Sequence, residues 1–189
     1  MNYYIADLHL GHKNALKYNK DNRFKTIEEY DATIIKNWNN TVGIDDDVYI
    51  LGDISWYNST QTVEILKNLN GNKHLIIGNH DRKLLRNKQL RDCFVEISDY
   101  KELNLDNNLF IVLSHYPIPC FNRHYYGAYH LYGHFHNSAE WRFVEEMREK
   151  MEKEYNFPCQ MYNVGVMMDY MNYTPRTLYE ITCGYKYLK

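Results

Sequence analysis

Hydrophobic positions along the chain follow two periods. Short runs rich in β-branched, aromatic and aliphatic residues recur at 3–6, 48–51, 74–77, 109–113, 129–132 and 160–166, each bounded by polar residues or glycine. Such runs predict buried strands. Behind Thr26-Ile27-Glu28-Glu29, which has the form of a capping box, Ile27, Tyr30, Ile34 and Trp38 recur at helical spacing and predict a helix over 27–39. Val63, Leu66 and Leu69 predict a second helix over 60–69, and Trp141, Phe143, Val144, Met147 and Met151 a third over 139–155. Strands inside and helices outside make an α/β fold. With no repeat, low-complexity tract or Gly/Ser/Pro-rich linker, residues 1–189 are expected to form a single domain.

Charge narrows the classes of partner. Twenty-two Lys+Arg against 24 Asp+Glu leave a formal charge of −2, so no basic surplus draws the chain to a phosphate backbone. Phosphate chemistry, if present, must be local to a site; nucleic acid stays open as a partner but is not favoured. The longest aliphatic run, 109–113, is far below the roughly 18–20 residues of a membrane span, and none is expected. Cys93, Cys120, Cys159 and Cys183 form no CxxC pair, and the first residues lack a basic leader segment. A cytoplasmic protein is expected. No feature specifies an oligomeric state. The composition stands out for nine histidines, the commonest metal ligand and a general acid near neutral pH.

Five of the six predicted strands run directly into metal-ligand residue types: Asp7-Leu8-His9, Gly52-Asp53, Gly78-Asn79-His80-Asp81, Ser114-His115-Tyr116-Pro117 and Gly133-His134-Phe135-His136. Ligands of open α/β sheets bind beyond the carboxyl ends of the strands, so the five clusters are expected to converge. In extended chain, residues i and i+2 share a side, which predicts that Asp7 with His9, and His134 with His136, face one pocket while Leu8 and Phe135 pack into the core. Glycines 52, 78 and 133 suit sharp turns and close backbone approach. One such fragment is commonplace; five in order are not. The set of nitrogen and oxygen donors without thiolate suits Mn²⁺, Fe or Zn²⁺. Seven candidates, Asp7, His9, Asp53, Asn79, His115, His134 and His136, exceed the needs of one tetrahedral ion and match two ions sharing a carboxylate, a clamp for in-line displacement at phosphorus.

These blocks resemble the calcineurin-like metallophosphoesterase superfamily, whose motifs run D-x-H, G-D, G-N-H-D/E, H and G-H-x-H in that order. The opening Asp7-Leu8-His9-Leu10-Gly11-His12-Lys13-Asn14 is similar to the D-x-H-x-G-H-x-N of small stand-alone bacterial and phage phosphoesterases, and Asn163-Val164-Gly165-Val166 with Thr174-Pro175-Arg176 resembles that subgroup's ending. The resemblance implies a β-sandwich flanked by helices in four layers, α/β/β/α. It implies a first metal held by Asp7, His9, Asp53 and His136, and a second by Asp53, Asn79, His115 and His134, with Asp53 bridging. It also implies that a metal-bridging hydroxide attacks phosphorus while His80 protonates the leaving oxygen. The expected substrate is a phosphate mono- or diester, preferably a small nucleotide-like molecule. A nuclease is the rival enzyme reading, against which the near-neutral charge counts. A non-catalytic scaffold is the rival of another class, and such a protein would be expected to lose ligands or the acid, none of which is lost here.

One departure bears on mechanism. In the protein-phosphatase branch a second Asp and an Arg follow G-D at fixed spacing, to orient the acid histidine and grip phosphate. Here Trp56 and Tyr57 stand in those places, which argues against a phosphoprotein phosphatase. Candidates for the substrate anchor are Arg23, as a bidentate phosphate donor, and His12 at the pocket. Trp56 or Tyr57 is a candidate surface for stacking a nucleobase, and His124-Tyr125-Tyr126 a candidate rim of the pocket. His74 and His130 are read as packing residues.

Overall fold

The computed structural model describes residues 1–18, 23–136 and 138–186. Strands β1 (Asn2–Ile5), β2 (Asp47–Ile50), β3 (Asn72–Ile76) and β4 (Glu96–Ser98) form one sheet in that order, all parallel. A second sheet has the order β5 (Tyr100–Leu105), β6 (Leu109–Ser114), β7 (Tyr129–Tyr132) and β8 (Gln160–Asn163). Only the β5–β6 pair in it is antiparallel.

The helices are α1 (Ala15–Tyr18), α2 (Ile27–Thr41), α3 (Ser59–Asn68), α4 (Lys88–Arg91), α5 (Ala139–Lys153) and α6 (Leu178–Lys186). Residues of α2, α3, the first sheet and the facing side of the second share one core, which includes Trp38, Leu66, Ile5, Ile50, Leu75, Ile111 and Leu131. The opposite side of the second sheet, with Phe110, Val112, Tyr132 and Met161, packs against Val144 and Met151 of α5. Alternation along β6 assigns Ile111 and Leu113 to one core and Phe110 and Val112 to the other. Two sheets flanked by helices are thus the α/β architecture expected.

Helix α2 begins as predicted: Thr26 Oγ1 accepts from the Glu29 N–H at 3.2 Å. The Glu29 carboxylate reaches one residue further back than a capping box requires and accepts from the Lys25 N–H at 2.8 Å. Strands β4 and β5 and helix α6 were not among the predicted elements. Polar and apolar residues mix closely in Lys101-Glu102-Leu103-Asn104-Leu105, where only Leu103 is fully buried, so the hydrophobic run is too weak to read. Helix α6 is rich in poor helix formers (Tyr, Ile, Thr, Cys and Gly) and depends on burial of Ile181 and Tyr185. Its signal was the Thr177-x-x-Glu180 capping box, in which Thr177 Oγ1 accepts from the Glu180 N–H at 3.3 Å and Glu180 accepts from the Thr177 N–H at 2.9 Å. Strand β8 ends at Asn163, short of the predicted 166, because the chain crosses to the first sheet there. The Ala6 N–H donates to Val164 O at 2.8 Å and the Val166 N–H to Ala6 O at 3.0 Å. This crossing joins the two sheets beside the end of β1.

No helix among the described residues is long and apolar enough to cross a membrane.

Candidate metal centre

The carboxyl ends of β1, β2, β3, β6 and β7 converge, and with them the five ligand-bearing clusters. Asp7, His9 and His136 bring one ligand atom each within 4.8 Å of one another, and so do Asp53, His115 and His134. Asp53 lies between the two groups: its Oδ2 is 3.6 Å from His9 Nε2 and 3.7 Å from His115 Nε2. Asn79 joins through its Oδ1, 2.9 Å from His115 Nε2.

The backbone that achieves this is not extended. Asp7, His9, Asp53, His134 and His136 all have left-handed conformations, with φ of 55°, 49°, 55°, 74° and 42°. The expected i, i+2 alternation is therefore not what aims Asp7 with His9 or His134 with His136. Each pair converges because both members take a conformation that non-glycine residues adopt at a cost, a strain typical of functional sites. Leu8 is buried as expected, whereas Phe135 is only partly buried against the second core.

Glycines make room for the ligands. A Cβ on Gly78 would stand 2.3 Å from Asp53 Oδ1, and one on Gly133 would meet Ala6 Cβ at 2.6 Å and Asp7 Oδ2 at 2.9 Å. Gly165, from the Asn163-Val164-Gly165 segment, backs Asp7 in the same way at 2.9 Å from its Oδ2. Asp81 ties β2 to β3. Its carboxylate accepts the N–H groups of Gly78 at 2.8 Å and of Asp53 and Ile54 at 2.9 Å. It is buried, and is committed to this backbone rather than to His80.

Electrostatics match a cation site. Burial, and then the charge of Asp53, push the Asp7 carboxyl well above the usual carboxylate range. Its Oδ1 and both ring nitrogens of His9 are buried with no hydrogen-bond partner among the described residues, which is costly unless something charged lies between them. Burial raises Asp53 too, but contact with His9, the nearby His115 ring and the His80 N–H outweigh it and hold Asp53 below its ordinary value. Burial, and then the charge of His9, push His136 down to about 3, and burial with His115 lowers His134. Neutral imidazoles beside an ionised carboxylate are the forms that bind metal. His115 is further fixed by its Nδ1–H, which donates to Leu51 O at 2.8 Å and leaves Nε2 facing the site.

The sequence profile of the calcineurin-like phosphoesterase family matches residues 3–103, more than half of the chain. The chain belongs to the calcineurin-like phosphoesterase family. It is accordingly a metal-dependent phosphoesterase, and the family implies divalent metal ions, for which the two Asp/His groups provide places. An uncharacterized protein of Methanocaldococcus jannaschii is 31% identical over 180 residues, 93% of this chain and 86% of the relative. The gene 66 protein of Mycobacterium phage L5 is 42% identical over 82 residues, 42% of this chain and 39% of that protein. A crystal structure of a protein of unknown function from Aquifex aeolicus superposes with a TM-score of 0.70 at 27% identity and covers 97% of this chain and 98% of its own. Archaeal and phage relatives of this kind agree with the small stand-alone subgroup.

The remaining candidates separate cleanly. His80 lines a cavity of about 420 Å³ together with Asp53, Asn79, His12, Lys17 and Trp56. His12 stacks on Trp56 at 4.1 Å with ring planes 16° apart, and Trp56 also lies 4.6 Å from both His9 and His80. Arg23 is engaged elsewhere: its Nη1 donates to Asn172 Oδ1 at 2.6 Å and its guanidinium lies over the Tyr173 ring, outside the lining of this cavity. Tyr57, a candidate for stacking a nucleobase, does not line this cavity; its hydroxyl donates to Asp31 at 2.7 Å and Asp31 in turn holds the Gly11 N–H. The His124–Tyr126 turn is not a rim of this site. His124 is buried, and Tyr126 lines a separate cavity with Asn108 and Tyr129, at the opposite ends of β6 and β7. His74 and His130 sit in packing positions, as expected, His130 wholly buried and His74 stacked on Tyr49. Sequence reasoning missed Lys17, which resembles any surface lysine, and Tyr116, whose ring lies 4.6 Å from His134. Adjacency to His115 was the signal for Tyr116.

Proposed function

We propose that this chain hydrolyses mono- or diesters of phosphoric acid at a centre of two divalent ions, with a nucleotide-like substrate. The position of Asp53 carries the reading: one carboxylate oxygen is almost equidistant from a histidine of each ligand group. Asp7, His9, Asp53 and His136 would hold one ion, and Asp53, Asn79, His115 and His134 the other. When bound, two such cations supply Lewis acidity to a phosphoryl oxygen and lower the pKa of water.

The chain's own residues complete the reaction. Lys17 offers a cation to a non-bridging phosphate oxygen at the cavity mouth, in the part expected of Arg23. His80 stands at the wall and gives a proton to the leaving oxygen as its bond to phosphorus breaks. Water supplies the oxygen that bonds to phosphorus, and its proton restores His80. Trp56 holds the His80 ring by contact. Residues 1–189 act in this reaction as one catalytic unit.

Purified protein with Mn²⁺ should cleave p-nitrophenyl phosphate or its bis-ester, and the ratio of the two rates decides between monoesterase and diesterase. His80→Ala should lose most of the activity toward an ester with an alkyl leaving group, whose oxygen needs the proton, while still binding metal. No turnover of either ester with Mn²⁺, Fe²⁺ or Zn²⁺ would overturn the proposal.

A further inference from the structure

Trp56 and His80 line a second cavity as well as the metal-bearing one. It measures about 510 Å³, and its other walls include Asn58, Ser59, Lys83 and Leu84. It contains none of the seven proposed ligands, so the two cavities are separate chambers meeting at the Trp56–His80 wall.

The position of that wall has a chemical meaning. An acid that protonates the leaving oxygen must stand beside the leaving group, so the alcohol fragment extends past His80. Beyond His80 lies a chamber with an aromatic side at Trp56 and an apolar side at Leu84. Asn58 and Ser59 add an amide and a hydroxyl, and the exposed Lys83 adds one cation. An aromatic wall with polar groups at its edge suits a nucleobase, whose faces are apolar and whose edge carries donors and acceptors. A lysine at the rim suits a second phosphate.

We propose that this second cavity is the leaving-group subsite and that it takes a nucleotide, base against Trp56 and phosphate on Lys83. The substrate class is then the phosphodiester that joins two nucleotides. The inference rests on the phosphoesterase reading above and adds to it the identity of the group that departs.

The test reads binding rather than turnover. The Mn²⁺-loaded full chain, with inorganic phosphate filling the metal centre, is titrated calorimetrically with adenosine 5′-monophosphate and with adenosine. The monophosphate should bind roughly tenfold more tightly, as one charge-assisted contact provides. Lys83→Ala should erase that preference, Lys17→Ala should keep it, and Ser59→Phe, which fills the chamber, should weaken both ligands. Equal binding of the two by the wild type, a preference that survives Lys83→Ala, or one that vanishes with Lys17→Ala overturns the subsite. Ester hydrolysis that persists beside such a result leaves the reaction standing, and because binding needs no turnover, a failed reaction cannot imitate it.

Discussion

The indole of Trp56 lies 4.6 Å from the imidazole of His80, with the ring planes inclined by 45°. Trp56 occupies the place where protein phosphatases of the resembled superfamily have an aspartate, and Asp81, the carboxylate nearest in sequence to His80, is spent on backbone N–H groups. Ring contact with Trp56 therefore restrains the imidazole of His80, the proposed acid. Such contacts contribute about 0.5–1.5 kcal/mol, or up to roughly tenfold in rate. Trp56→Ala should slow hydrolysis of esters with alkyl leaving groups by about that factor and leave p-nitrophenyl esters, which depart without a proton, nearly unchanged. Trp56→Phe should restore most of the loss. Equal slowing of both ester types in a kcat comparison would show that Trp56 does not act through His80.

Gly78 is a second point of leverage. Its missing Cβ is what lets Asp53 approach, at a distance no side chain tolerates. Gly78→Ala should destabilise the protein by about 1–3 kcal/mol through displaced backbone and weaken Mn²⁺ binding more than tenfold by moving Asp53. Urea unfolding and metal titration by calorimetry measure the two effects separately.

Asp7 is fully buried and its carboxyl is pushed above the ordinary range, first by that burial and then by Asp53. Without a cation it opposes folding near neutral pH, since the unfolded chain ionises it freely. Asp7→Asn should therefore raise the melting temperature in chelator while abolishing the additional rise that Mn²⁺ gives the wild type. A variant less stable than wild type in chelator would contradict this account of the site.

His130 contributes to the loss of stability in acid. Its Nδ1–H donates to Val112 O at 3.1 Å and its Nε2 accepts from the Ile118 N–H at 3.0 Å, so the neutral ring is fully bonded. Burial pushes its pKa down from 6.5 to about 4. Above pH 6.5 the ring is neutral in both states and its contribution is intact. As the pH falls from there toward 4, the unfolded chain takes up a proton that the folded one refuses, with a loss approaching about 3 kcal/mol. Unfolding free energies measured by urea at pH 7 and pH 4.5 should show this loss in the wild type and a smaller one in His130→Gln.

The two Asp/His groups were legible in the sequence because each chemical type sits at a strand end, and strand ends follow from hydrophobic period. The same logic failed for β5 and α6, where a mixed polar pattern and weak helix formers leave the choice to tertiary burial. Nor does a local pattern show that Arg23, an equally good phosphate donor on paper, is drawn to Asn172 and Tyr173, almost 150 positions away.

The sequence by itself determined the order of the clusters, the donor types and hence the chemistry, since these depend only on which residues follow which strands. Only the tertiary structure decided how they meet. Left-handed turns at Asp7, His9, Asp53, His134 and His136, the Asp81 brace and the Trp56–His80 wall all rest on contacts between segments far apart in the chain. Strained dihedrals persist only where such surrounding contacts over-determine them, and a local pattern carries no record of that support.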